Sequence, residues 1–344
     1  MALVGHQKQF ESLRGAFDSG KMAHAHIFSG PDKVGKKTLA LKWLSSIFNV
    51  DLKPGTAHPD FLFLAPLVDE KTQKIAKEIT VGQIREAIGK LSLTASAGGY
   101  KAAIVDGAHL MNSEAQNCLL KTLEEPPGKI VIILIAENEA RLLETVRSRA
   151  QVIKFGFVAV EDLQNFGIGY AADRGLKIGA EQIKELAELS FGRPGRLADF
   201  LQNPNLSREW QSAAKEFAKI IDGDLAEKFA YAKKITDNEK EKAQPISLRE
   251  LIEIWQYHFR NRLLQSLENK DDSARVRLAQ DQRGSDPRNS GKEHFVFSKL
   301  KEKEVGQEPE KIAAILKKIQ ELDLMLRATN AHPRLAIENF FLDL

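Results

Sequence analysis

Cysteine is almost absent, with one residue, Cys118, in a chain of 344. That excludes an intrachain disulfide framework and any multi-cysteine zinc site. Cys118 lies in an apolar helical stretch, so it reads as a buried structural thiol rather than a reactive one. Charge of one sign is lacking too. The 50 Lys and Arg residues are nearly matched by 47 Asp and Glu, a formal net charge of +3. No broad positive field marks a high-affinity nucleic-acid binder, and any DNA contact must be local or shared with partners. The ends show no basic, apolar, small-residue succession of a signal peptide, and no apolar run reaches the roughly 18 residues of a bilayer span. The expected compartment is the cytoplasm, with no membrane partner. No internal repeat of fixed period is present. What the chain does have is bulk: with 43% apolar residues over 344 positions, it can bury more than one core, and two or three domains are expected.

The apolar pattern changes character along the chain. From Ala23 to Phe157 short apolar runs alternate with amphipathic stretches, the signal of βα units on a largely parallel sheet. Strands are predicted at Ala25–Phe28, Phe61–Leu64, Ala102–Val105 and Ile130–Ile135, and helices at Lys36–Phe48, Val81–Leu91 and Ser113–Leu123. Pro126 and Pro127 stop the last of these, since proline lacks the amide donor and clashes with the preceding turn. From Val160 onward helical periodicity takes over. The expected division is an α/β domain over 1–158, a small helical unit over 159–204 closing at Gly192, Pro194 and Gly195, and a helical block over 205–344. The last block carries Leu251, Ile254, Trp255 and His258 at helical spacing and a final helix from Ala313 to Arg327. A polar, turn-rich stretch at about 268–307 interrupts it and reads as a flexible insertion.

Chemistry concentrates at two strand ends. Gly30-Pro31-Asp32-Lys33-Val34-Gly35-Lys36-Lys37-Thr38 falls between a predicted strand and a predicted helix, the context of a phosphate-binding P-loop, in which backbone amides cradle phosphate oxygens and Lys36 reaches the terminal phosphates. One position departs from the pattern. A Ser or Thr should follow that lysine to hold magnesium; here Lys37 follows, and Thr38 comes one step late, rotated by about 100° around the helix. The second strand end is Ala103-Ile104-Val105-Asp106-Gly107, where Asp106 could support magnesium through water or simply form a turn or helix cap. His24 and His26 flank the first strand without carboxylates or cysteines at ligand spacing, so they read as packing or hydrogen-bonding residues.

The strings Gly5-His6-Gln7, His24-Ala25-His26-Ile27-Phe28-Ser29-Gly30-Pro31, His58-Pro59-Asp60, Gln116-Asn117-Cys118-Leu119-Leu120-Lys121-Thr122-Leu123-Glu124-Glu125-Pro126-Pro127 and Ser148-Arg149 resemble the clamp-loader AAA+ family, and within it the delta-prime subunits of bacterial DNA polymerase III. The similarity covers about the first 200 residues, and His332-Pro333-Arg334-Leu335-Ala336-Ile337-Glu338 is similar to the closing motif of clamp-loader collar domains. The resemblance implies a RecA-like AAA+ P-loop domain with a parallel sheet, a small helical lid and an all-α collar that joins a ring. It implies gamma/tau-type and delta-type subunits as partners, with a sliding clamp and primed DNA reached through the assembly. Arg149, beside Ser148, takes the role of an arginine finger offered to ATP in the neighbouring subunit, with Arg147 adjacent. Arg196 takes that of a lid sensor, with Arg193 as competitor. Gln116 and Lys121 lie where related subunits couple nucleotide sites to DNA phosphates, although a solvated helix face explains them as well.

Three positions depart from what a working ATPase of this family needs. Besides Lys37, Gly107 stands where a glutamate should polarise the attacking water, and Glu137 stands where a small polar sensor is usual, with Asn138 retained beside it. The resemblance therefore implies a stator that leaves room for ATP or ADP at Gly30, Gly35, Lys36, Lys37, Thr38, Asp106, Asn138 and Arg196 without hydrolysing it. The four-cysteine zinc module common in the family has no counterpart in Asn49 to Ala57, so no metal is expected. The alternatives are an ATP-hydrolysing gamma/tau-type motor subunit, which Lys37 and Gly107 oppose, and another AAA+ DNA repair module, which the near-neutral charge disfavours.

Overall fold

In the computed structural model, the structure describes residues 3–67, 78–96, 99–241, 246–268, 307–328 and 332–343. The chain divides into two compact units, Met1–Leu201 and Gln202–Leu344.

The first unit begins with α1 (Gln7–Asp18), β1 (Ala25–Ser29), α2 (Lys36–Phe48), β2 (Phe61–Leu64) and α3 (Val81–Leu91). It continues with β3 (Lys101–Asp106), α4 (Ser113–Glu124), β4 (Ile130–Ala136), α5 (Glu144–Arg147) and β5 (Gln151–Lys154). The five strands form one sheet in the order β2-β3-β4-β1-β5, with every pairing parallel. Parallel strands need crossover helices on both faces, so the central strands are covered twice and read as unbroken apolar runs. All of Ile-Val-Ile-Ile-Leu-Ile-Ala in β4 is accordingly buried. One core, built on Ile27, Ile132 and Leu134, packs α3 and α4 against one face. The other, built on Phe28, Ile133 and Trp43, packs α2 against the opposite face. This is the α/β fold with a parallel sheet expected from the sequence.

Local signals set the helix starts. Thr80 and Gln83 form a reciprocal capping box at α3, and Asn112 accepts the Ala115 amide at 2.9 Å to start α4, each supplying an acceptor for an otherwise unpaired amide. The edge strand β5 and the leading helix α1 went unread in the sequence. β5 has mostly exposed side chains, so it lacks the apolar run by which the inner strands announce themselves.

Three helices complete the first unit: α6 (Val160–Asp173), α7 (Ala180–Leu189) and α8 (Pro194–Gln202). Gly195 donates its amide to the Lys33 carbonyl at 2.9 Å, and Lys33 pairs with Asp199 at 2.8 Å, so α8 is tied directly to the turn between β1 and α2.

The second unit contains α9 (Pro204–Ile221), α10 (Leu225–Glu241), α11 (Leu248–Glu268), α12 (Gln307–Ala328) and α13 (Pro333–Leu342). Its core is aromatic: Trp255 stacks on Phe217 with centroids 4.4 Å apart and lies 5.9 Å from Phe340. The expected final helix at Ala313–Arg327 is longer, and the His332-Pro333-Arg334 string opens a further helix, with Pro333 at its first turn. Proline suits that position because the missing amide would be unpaired anyway. The expected insertion at about 268–307 lies almost wholly outside the described residues.

Candidate nucleotide site and arginine turn

The Gly30–Thr38 turn joins the buried end of β1 to the start of α2, and its amides therefore face the position where an anion gains from the helix dipole. Gly30 is required here. A Cβ at this position would meet the Phe155 carbonyl oxygen at 2.1 Å, a separation no side chain tolerates. His6 braces the turn, its Nε2 lying 3.2 Å from the Val34 carbonyl oxygen and its ring 4.8 Å from that of Phe155.

Lys36 is 6% exposed. Its ammonium donates to the Gly30 carbonyl and, at 2.5 Å, to the Pro31 carbonyl, curling into the cradle. Burial pushes its pKa down to about 8, while Asp32, Glu137 and Asp106 raise it and Arg193 lowers it further. The carboxylate of Glu137 thus acts on the ammonium that would meet a terminal phosphate.

The neighbouring side chain, Lys37, places Nζ 2.9 Å from Oδ2 of Asp106. The two motifs expected to hold magnesium are brought together, but as an ion pair. A magnesium ion wants oxygen ligands at about 2.0–2.1 Å in octahedral array; a lysine in place of the hydroxyl offers none, and its charge repels the cation. The residues fit a phosphate and do not fit the metal. Gly107 has φ 83°, a backbone state that side-chain-bearing residues adopt at a cost. The chain directly beyond Asp106 is thus shaped for glycine. Asn138 turns its Oδ1 to the Ala140 amide at 2.8 Å, capping a short turn, and Thr38 is half-buried at the start of α2.

Arg193 and Arg196 are both buried, at 7% and 6% exposure. Arg193 lies over the Phe157 ring at 5.3 Å and Arg196 over the Phe191 ring at 5.5 Å. The charge of Arg193 acts on Lys36, lowering its pKa.

Ser148 ends α5, and Arg149 follows. The Arg149 guanidinium donates Nη1 to the Thr145 carbonyl at 2.9 Å and to Ser148 Oγ at 3.2 Å, and its Nη2 lies 2.6 Å from Glu124 Oε1 at the end of α4. With about a third of the side chain exposed, it is held by its own subunit and still accessible. Gln116 corrects the solvated reading. It is 4% exposed, donates to the Met111 carbonyl at 3.0 Å and accepts the Leu143 amide at 2.7 Å. Leu143 caps α5, so Gln116 ties α4 to the segment that carries Arg149. Lys121 is exposed.

Cys118 is half-buried against the core rather than fully buried. His24 Nε2 lies 2.8 Å from the Leu123 carbonyl oxygen, and His26 packs edge-on to Trp43 at 5.1 Å, the packing roles expected of them. Among the described residues no group of three or more His, Cys, Asp or Glu could hold a metal ion. The His58-Pro59-Asp60 string contains a role that sequence reasoning missed: Asp60 is 3.6 Å from Lys101, and both are buried.

Residues 5–158 match the family model described as "DNA polymerase III, delta subunit". The chain is 35% identical over 141 residues to the DNA polymerase III subunit delta' of Pseudomonas aeruginosa, covering 37% of this chain and 41% of that protein. Residues 5–158 are thus similar to DNA polymerase III delta-type subunits. The delta' subunit of Escherichia coli is 27% identical over 217 residues, covering 59% of this chain and 60% of that protein. The subunit gamma of Buchnera aphidicola is 27% identical over 196 residues, covering 55% of this chain and 54% of that protein. The chain thus spans roughly two-fifths to three-fifths of the length of these relatives. A solved gamma subunit-related protein of Thermotoga maritima superposes with TM-score 0.41 at 17% identity, covering 97% of this chain and 98% of that one.

Proposed function

We propose that this delta-prime-type chain is a stator of a sliding-clamp loader: it does not turn over ATP itself, and it offers Arg149 to ATP held by a neighbouring subunit. The observation that carries the reading is the β3 terminus, where Asp106 is followed by Gly107 in a glycine-favouring conformation, so the position after the aspartate carries no carboxylate. The partly exposed Arg149 supports the other half. A guanidinium supplied in trans stabilises charge on the transferring phosphoryl group and is worth about 10³–10⁵ in rate.

In this reading residues 159–204 serve as a lid, with Arg196 or Arg193 as its sensor, and 205–344 as a collar that joins a ring. The partners are gamma/tau-type and delta-type subunits, with the clamp and primed DNA engaged through the assembly in the cytoplasm. Lys121, exposed on the nucleotide-side helix, is the side chain of the pair that meets DNA phosphates, while Gln116 ties that helix to the α5 segment. ATP or ADP, where held, is bound at Gly30–Thr38 and not cleaved.

The similarity to gamma-type relatives favours a second reading, a motor subunit, and Lys37 and Gly107 oppose it. Replacing Arg149 with alanine separates the two. The stator reading predicts that the variant assembles with its partners normally while ATP turnover at the abutting site falls by roughly 10³ or more. Loss of assembly would recast Arg149 as structural.

A further inference from the structure

We propose that the Lys37 ammonium stands in for the divalent cation of this site, so that the Gly30–Thr38 turn holds a nucleoside diphosphate without magnesium. The inference goes beyond the stator reading, which requires only that the site not hydrolyse ATP.

The geometry assigns this role in three steps. Lys37 occupies the first turn of α2, where the metal-binding hydroxyl belongs, and its Nζ sits 2.9 Å from Asp106. Asp106 closes β3, which is separated from β1 by β4 in the sheet, so the lysine reaches across from the start of α2 to the carboxylate that would otherwise help to hold a magnesium ion. A positive charge is thereby already present at the metal's place, and the carboxylate that would have attracted a metal is neutralised. Second, half of the Lys37 side chain is exposed, which leaves an ammonium with three donors and one partner on this side free to turn toward a phosphate oxygen as well. Third, the substituted cation carries one charge where magnesium carries two, and Glu137 adds a negative field at Lys36. Together these favour the smaller negative charge of a diphosphate over a triphosphate.

Nucleotide affinity of the full-length chain, measured with a fluorescent ADP analogue and competed with ADP and ATP, tests the proposal. The expected result is binding that changes less than about twofold when magnesium is replaced by a chelator, with ADP preferred over ATP. Lys37→Thr should weaken chelator-treated binding by roughly tenfold and restore affinity when magnesium is supplied. Manganese in place of magnesium should then give a protein-bound paramagnetic signal with nucleotide in that variant and none in the parent. Asp106→Asn provides the second arm. If Asp106 only neutralises Lys37, its removal leaves binding unchanged or tighter; if it supports a metal, binding in magnesium falls. Overturning results are binding abolished by the chelator in the parent chain, an Asp106→Asn variant that binds more weakly, or no detectable nucleotide binding at millimolar concentration. The stator reading survives each of these, because it fails only through turnover or through the partners.

Discussion

At the scale of single residues, several side chains do work that their chemical type alone does not announce. His26 is fully buried beside Trp43, and burial pushes its pKa down to about 4 from the ordinary 6.5. Between those two values the unfolded chain binds a proton that the folded chain refuses, so stability is present above pH 6.5 and is lost as pH falls toward 4. The difference amounts to about 3 kcal/mol at the acid end. A urea titration at pH 7 and pH 4.5 should show a larger loss for the parent than for His26→Phe, which keeps an aromatic partner for Trp43 and has no proton to gain; equal losses would place the acid sensitivity elsewhere. Gly30 gives a second prediction. With the Phe155 carbonyl oxygen 2.1 Å from any added Cβ, Gly30→Ala must shift backbone, and a loss of about 2–4 kcal/mol is expected in chemical denaturation.

At the scale of elements, the parts that were legible in the sequence are those whose burial is continuous. The strands β1, β3 and β4 and the helices α2, α3 and α4 could be read to within a residue or two, since a strand covered on both faces leaves an apolar run and a helix covered on one leaves a 3.6-residue rhythm; β2, at one sheet edge and only partly buried, was still legible as Phe-Leu-Phe-Leu. β5 lies at the sheet edge with exposed side chains and leaves neither. Among site residues, Lys36, Lys37 and Asp106 were legible by spacing, but their ion pairing was not, because nothing along the chain brings position 37 to position 106. Gln116 was misread for a related reason: its partner Leu143 is 27 positions away. Removing that amide acceptor with Gln116→Ala should cost about 1–3 kcal/mol for a buried unpaired donor and speed hydrogen exchange at the Leu143 amide. The Glu124–Arg149 pair joins α4 to the turn after α5 with both side chains partly in solvent. Glu124→Gln should therefore change stability by less than about 1 kcal/mol, while altering ATP turnover of the assembly if the pair holds Arg149 ready for its neighbour; an unchanged turnover would leave the pair as surface decoration.

At the scale of the whole molecule, the chain combines a parallel α/β unit with a helical unit whose own core is built around Trp255. In the first unit Lys37 is paired with Asp106 and glycine follows that aspartate; on the proposed reading, such a molecule acts through what it presents to others. The most direct measurement of that claim is magnesium-dependent phosphate release by the purified chain alone, compared with the chain reconstituted with gamma/tau-type and delta-type subunits. The account predicts release from the assembly and none above background from the lone chain; turnover by the lone chain at a motor-like rate, on the order of one per second or faster, would contradict it.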